Sequence, residues 1–412
     1  MASLARSNTR RLLLLALLVT TTTAHGGECD PTLALLAAAE QAPLVVVGRV
    51  GAVTRLDASA YVTTLRVSQA LRGTAKPNTD IDIAWEELAR ARPPRLKEGE
   101  RVLLALDALP TSSLWRARGR ERPDLHVVGA DGDALQRDPP AVDLQQLTDY
   151  LRLPADAPPP RRATALAQMA AAASDTLSAA ALARLVGAPP LVAALTADAT
   201  ATLMQVAASD RRPLPLRRTV VELAGTARLA AAAPQLETLS KSAGPLQAPA
   251  LLALGEIRGG LPPAQAEALL GNPDAALRAV GARYASGALA ERTLPGLARG
   301  DVSPAVRIAA VEALAASRTV WGVDGALPVL ADSDPPVRAA AAAALGRLGA
   351  PAVPALEQAA RQVPAQAAGA VTALSLAGPA GVDALKRLQA DGPTPTVRDL
   401  ARLALGQGPH AH

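Results

Sequence analysis

Aromatic side chains are almost missing from this 412-residue chain: there is no phenylalanine, and tryptophan and tyrosine occur three times each. That scarcity removes the stacking platforms on which single-stranded nucleic acids are usually held. The single cysteine, Cys29, cannot close an intramolecular disulfide, so the fold has to be held by packing. Histidines stand only at 25, 126, 410 and 412, with no His-Glu-x-x-His sequence and no close cysteine pair, so no metal site is legible. His126 is the one histidine away from the chain ends, in the stretch LHVVGADG, and reads as a strand entering a turn rather than as a catalytic base. Glycine-rich phosphate motifs are absent as well, and with them any sequence signal for ATP or NAD. The reading is therefore of a protein that is not an enzyme and takes no cofactor.

Long hydrophobic runs are also missing, with one exception at the start. Arg6, Arg10 and Arg11 precede LLLLALLV at 12–19, and small residues follow up to Ala24. This is the pattern of a secretory signal, too short in its apolar part to span a bilayer. Cleavage after Ala24 would leave a chain beginning at His25, periplasmic or secreted and without an integral membrane segment. Glu28 occupies the position where a lipoprotein signal needs a small residue, which argues against lipidation of Cys29. Removing the three arginines of the leader leaves 39 basic against 37 acidic residues, a balance that gives no reason to expect nucleic-acid binding.

What is present divides into two patterns. Residues 44–53, 61–71, 79–85 and 101–107 are short β-branched or alternating segments separated by Gly, Pro and Asp, as expected of strands. A helical pattern at 143–152 closes this region. PADAPPPRR at 154–162 then reads as a stiff connector between domains.

The second pattern is a repeat. Aligning the dipeptides at 216, 246, 277, 306, 337, 366 and 397 gives steps of 30, 31, 29, 31, 29 and 31 residues. Arginine holds the second position at Arg217, Arg278, Arg307, Arg338 and Arg398. Seven residues further on stand Leu254, Leu314, Leu345, Leu374 and Leu405, and at the eighth Gly225, Gly255, Gly346 and Gly406. Such offsets put small and apolar residues on one helical face, where a neighbouring helix can come close. Ser303-Pro304, Asp334-Pro335 and Thr394-Pro395 mark helix starts, each with a capping side chain before a proline in the first turn. Shorter apolar segments such as LPGL at 294–297, LPVL at 327–330 and VPAL at 353–356 precede them, so each unit is a helix pair.

DSDPPVRAAAAAALGRLGAPAVPAL at 332–356 and DVSPAVRIAAVEALA at 301–315 resemble HEAT-like repeats of the phycobilisome-lyase type. The resemblance implies a structural role for the repeated arginines, which in such arrays pair with a neighbouring repeat. The order GRV, ALRG and GERVLLAL in the β region resembles OB-like barrels of netrin-like domains, but the disulfides of their animal members are missing. Helical-repeat hydroxylases carry repeated His-Glu pairs for iron, and this chain has none.

The expected architecture is a leader at 1–24, a small all-β OB-like barrel domain at 25–153, the linker at 154–162 and an irregular helical cap at 163–209. An all-α HEAT-like solenoid at 210–408 and a tail at 409–412 complete it. The expected function is binding of a protein partner as a scaffold or adaptor, with no nucleic acid; the rival is a lyase-like or modifying-enzyme accessory resembling the phycobilin lyase group. Candidate contacts are Arg116, Arg118, Arg120 and Arg122, which alternate around Trp115 and in an extended segment would share a face, and the pair Arg211 and Arg212 at the entrance to the array. Intact-mass analysis of the exported protein should give a chain starting near His25. A diacylglycerol adduct on Cys29, or a retained apolar segment in the membrane fraction, would reject this.

Overall fold

The computed structural model describes residues 31–56, 60–86, 95–108, 125–128, 135–154 and 156–406. The leader, Cys29, Ala155, the tail and the arginines at 116, 118, 120 and 122 lie outside them. The chain forms two compact units that divide between Ile257 and Arg258.

The first unit opens with a helix, Pro31–Gln41, which the sequence pattern did not lead one to expect. Seven strands come next: β1 (Leu44–Val50), β2 (Thr54–Arg55), β3 (Ala60–Arg72), β4 (Asp80–Glu86), β5 (Arg101–Ala108), β6 (His126–Val128) and β7 (Leu135–Arg137). β1, β3, β4, β6 and β5 pair in that order, and β5 returns to β1, so five strands close into a barrel. All of these pairings are antiparallel except β4 with β6. β2 pairs with β3 and β7 with β5 outside the ring. Closure removes the open edges that a small sheet would otherwise expose. The alternation in β3 is that of a strand with one face to the core, whereas β1 is buried almost throughout. His126 is half-buried on β6, opposite Ala108 of β5.

The expected linker at 154–162 does not separate the barrel from the helices after it. Pro159 already begins the helix Pro159–Ala172, since proline fits the first turn, where no amide proton is needed. Helix Pro31–Gln41 packs on Asp175–Val186, and helix Ala141–Leu151 lies between β3 and Pro159–Ala172. Asp143, only 1% exposed, accepts hydrogen bonds from Gln136 Nε2 of β7 (2.9 Å) and from Ser174 N (2.7 Å) and Oγ (2.6 Å). One carboxylate thus fastens the barrel to two helices. A linear pattern reading misses this because the partners are far apart in sequence. The stretch expected to be an irregular cap holds four helices, Pro159–Ala172, Asp175–Val186, Pro189–Ala193 and Ala197–Ala208.

Helix pairs were expected over 210–408; the helices Leu214–Thr226 and Ala233–Lys241 and nearly all of Gln247–Arg258 fall in the first unit, and the second unit carries the series from Pro263 on. Pro263–Leu270 is followed by Ala275–Tyr284, Gly287–Gly300 by Pro304–Ala316, Val320–Ala326 by Pro335–Leu348, Val353–Gln362 by Pro364–Leu376, and Pro379–Asp391 by Pro395–Gly406. One continuous core of small residues, leucine and valine runs from Ala282 to Ala401. The repeated glycine has a steric reason: a Cβ at position 346 would stand 2.6 Å from Leu376 Cβ and 2.8 Å from the Ala373 carbonyl. In the first unit Gly225 is equally close to Ala253. Gly406, in the last helix, meets nothing within 4 Å. Alanine and glycine at these positions bring helices close enough for each pair to cover its neighbour, which no pair could do alone.

The expected caps are only partly formed. Thr394 Oγ1 accepts from Val397 N, and Asp274 caps its own helix by accepting from Ala276 N. Ser303 and Asp334 make no side-chain cap; Asp301 accepts from Ser303 N and Asp332 from Asp334 N instead, each at 2.8 Å.

Ala341 is fully buried within Pro335–Leu348. Ala341→Pro removes an intrahelical bond and clashes with the preceding turn, with an expected cost of about 3 kcal/mol or more. Ala305→Pro should be mild, because Ala305 is exposed in a first turn and the matching position in the next pair is already Pro336. Equal melting temperatures for the two variants would reject the helix assignment.

Candidate interface and the arginine ladder

Each repeated arginine is the fourth residue of its helix, so its amide bonds to the carbonyl just before the helix and its side chain leaves toward the loop. In four of them Nη1 donates to the carbonyl six residues back. Arg278 reaches Asn272 (3.0 Å), Arg307 reaches Asp301 (2.9 Å), Arg338 reaches Asp332 (2.6 Å) and Arg398 reaches Gly392 (2.6 Å). That bond holds the guanidinium in a fixed plane.

The opposite edge of the fork points at the next pair. Arg278 Nε and Nη2 each donate to Asp301 at 2.9 Å. Arg307 repeats this with Asp332 at 2.8 and 3.0 Å, and also donates to Asp334. Asp301 directly follows Gly287–Gly300, Asp332 directly follows the 3₁₀ turn Leu327–Ala331 that continues Val320–Ala326, and both are nearly buried. Arg307 itself is 7% exposed, so these charges sit away from water only because they are paired and fully hydrogen-bonded. The Arg278 fork holds the Asp301 carboxyl below the usual carboxylate range against the opposing effect of burial, helped by the Ser303 amide. Burial pushes Asp332 up, but the Arg307 fork, the Asp334 amide and the nearby arginine charges together carry it below its ordinary value.

A cleft of about 400 Å³ opens on this ridge, lined by Arg299, Gly300, Asp301, Arg307, Asp332 and Ser333. Val302 beside it is 88% exposed, and Val320 in the same unit 79%. The first unit has a smaller cleft, about 250 Å³, against Glu40, Arg72, Tyr150 and Arg162. Its polar groups are engaged internally: Glu40 accepts from Arg184 Nε at 3.0 and 3.1 Å and from the Tyr150 hydroxyl, and Arg72 donates to the Ala39 and Glu40 carbonyls. Burial, reinforced by the Glu40 hydrogen bond and charge, raises the Tyr150 phenol and keeps it a donor. This cluster joins the barrel strand β3 to three helices.

The candidates at the array entrance separate. Arg211 is exposed. Arg212 was expected to be a surface contact, yet its guanidinium donates to Ala171 O (2.5 Å), Ala173 O (2.8 Å) and Asp175 (2.9 Å), and a partner could engage it only at the expense of those bonds. Arg217 donates to Ala207 O at 3.0 Å and pairs with Asp210 at 2.7 Å, within its own neighbourhood rather than with the following helix pair. The carbonyl partners of Arg212 carry no sequence signal, which is why residue type alone did not identify its role. Among the described residues no group of three His, Cys, Asp or Glu side chains could hold a metal ion, and no single helix is long and apolar enough to cross a membrane.

A closed β barrel followed by stacked helix pairs with an inter-repeat arginine ladder defines a helical-repeat protein. Residues 290–377 match the family model for HEAT repeats, so the array is of the HEAT type. No curated protein matches the chain. Among solved structures it is similar to human deoxyhypusine hydroxylase in complex with glycerol, at 21% identity over 60% of this chain and 96% of that one, with a TM-score of 0.27.

Because Arg307 holds two carboxylates of the next pair and Arg338 none, Arg307→Ala should cost on the order of 2 kcal/mol and Arg338→Ala clearly less. The Asp332 contribution is present above the unfolded aspartate pKa of about 3.9 and is lost as pH falls through its lower folded value, so the difference between the two variants should shrink below about pH 4. Denaturant melts across pH test it; equal losses at neutral pH would reject the ladder.

Proposed function

We propose that this chain is an exported, non-enzymatic scaffold or adaptor that binds a protein partner through its HEAT-repeat unit, acting in the periplasm or outside the cell. The match to HEAT repeats over 290–377 carries the reading, since such arrays bury a continuous core and leave an extended surface for recognition. Val302 and Val320 support it as the two most exposed large apolar side chains of that unit among the described residues. The barrel is read as OB-like, of the netrin-like kind, on its five-strand ring order with one parallel pairing, β4 with β6. The phycobilisome-lyase resemblance of the repeats is kept as a statement about repeat type alone.

The test is capture from periplasm with a photo-crosslinker at Val320, compared with a Val302→Asp, Val320→Asp double variant. Recovery of the cross-linked partner should fall at least tenfold while stability changes by no more than about 0.5 kcal/mol per exposed site. Unchanged recovery would remove this surface as the contact. Turnover of a small molecule by the purified protein, abolished by a His126→Ala change that preserves folding, would defeat the non-enzymatic reading.

A further inference from the structure

The ladder has a gap. The residues that directly follow Gly287–Gly300, the 3₁₀ turn Leu327–Ala331 and Val353–Gln362 in three successive pairs are Asp301, Asp332 and Val363. The first receives the Arg278 fork and the second the Arg307 fork. In the thirty-residue register Val363 stands where Ser303 and Asp334 do, and Arg361 where Asp301 and Asp332 do, so neither position gives Arg338 a carboxylate. The connection there is also shorter: Val363 alone separates the two helices, where residues 301–303 and 332–334 separate the earlier ones.

Arg338 is nevertheless built like its paired equivalents. It is the fourth residue of its helix, and its Nη1 donates to the Asp332 carbonyl at 2.6 Å and the Ser333 carbonyl at 2.9 Å. Arg278 makes the same two contacts, to the carbonyls of Asn272 and Pro273. The remaining Nε and Nη2 edge of Arg338 makes no hydrogen bond or ion pair among the described residues, and the side chain is half-exposed. Inter-repeat ion pairing resumes one junction further on, where Arg387 of the last pair reaches back to Glu357 at 2.7 Å and Arg361 reaches Asp391 at 2.7 Å. At the junction beside Arg338 the pairs are joined by packing of Pro335–Leu348 on Pro364–Leu376.

We propose that Arg338 is a preorganised carboxylate-binding site, and that its occupant is an aspartate or glutamate on an extended segment of the protein partner, docking as Asp332 and Asp334 dock on Arg307. This deepens the scaffold reading and rests on it, since it names the chemistry of one contact on the same unit. Guanidinium geometry favours a carboxylate, whose two oxygens match the Nε and Nη2 donors. The anchored Nη1 lowers the ordering cost of binding. Val363, exposed just ahead of the following helix, offers no carboxylate to compete for that edge.

The experiment uses the mature full-length chain and follows the Nε–Hε resonance of Arg338 by nitrogen-edited NMR, assigned by its loss in Arg338→Lys. The probe is the capped pentapeptide Ala-Asp-Ser-Asp-Pro, the sequence of residues 331–335. A saturable shift is expected up to about 10 mM peptide, the range open to a single fork contact. The same peptide with asparagine in place of both aspartates should give none. Binding followed on the peptide's own resonances should weaken at least tenfold in Arg338→Lys, which keeps the charge but not the fork. Val363→Asp, which supplies the missing acceptor from within, should abolish peptide binding without lowering the melting temperature. No saturation, an equal shift with the asparagine peptide, acetate or inorganic phosphate, or undiminished binding to Arg338→Lys would overturn the site. If Val363→Asp does not fold, the lysine variant and the peptide pair still decide. None of these outcomes depends on capture through Val302 and Val320, so a failure here leaves the scaffold reading to its own test.

Discussion

A guanidinium shared between neighbouring helix pairs is the contact on which the second unit turns. Arg278 and Arg307 each sit at a helix start, held by a carbonyl of their own loop, and extend the other edge of the fork to an aspartate of the next pair. The helices are rich in alanine and glycine, so their packing offers many small contacts and few large ones to fix a register. A two-pronged ionic contact repeated about every thirty residues supplies that register, because only one relative placement of adjacent pairs satisfies both prongs. The same aspartates accept from the amide of the residue just ahead of the following helix, so a single carboxylate serves both the loop and the junction.

The next two junctions are held differently. Beside Arg338 no carboxylate receives the fork, and Pro335–Leu348 packs on Pro364–Leu376; one junction further on, Glu357 gathers Arg361 and Arg387. Hydrogen bonds from Arg387, ahead of those from Arg361 and against burial, keep the Glu357 carboxyl below its ordinary value. Arg338, like Arg398 of the last pair, keeps an Nε and Nη2 edge that makes no hydrogen bond or ion pair among the described residues.

In the first unit the corresponding role falls to two carboxylates. Asp143 and Glu40 stand on helices that flank the barrel, and between them they engage β7, helix Ala141–Leu151 and helix Asp175–Val186. The barrel is therefore not a bead on a proline-rich string. It shares a compact unit with the helices after it, and the proline-rich segment serves partly as a helix start.

Local order was legible in the sequence. Alternation and β-branching located four of the barrel strands to within a few residues, and the thirty-residue period with its arginine, leucine and glycine positions located the second helix of each pair, because those signals arise from faces and turns of a single element. Helix Pro31–Gln41 escaped notice because its apolar residues run almost continuously and show no face. The partners of each charge were beyond reach for a different reason: Glu40 and Arg184, or Arg307 and Asp332, meet only after the chain has folded back, and nothing in the local pattern distinguishes Arg212, locked onto carbonyls, from Arg211, left exposed. Sequence alone thus determined the elements and their period, since these arise from propensity and spacing. The tertiary structure decided which arginines are internal joints, where the units divide and which fork is left open, because a hydrogen bond depends on where two distant backbones place their side chains.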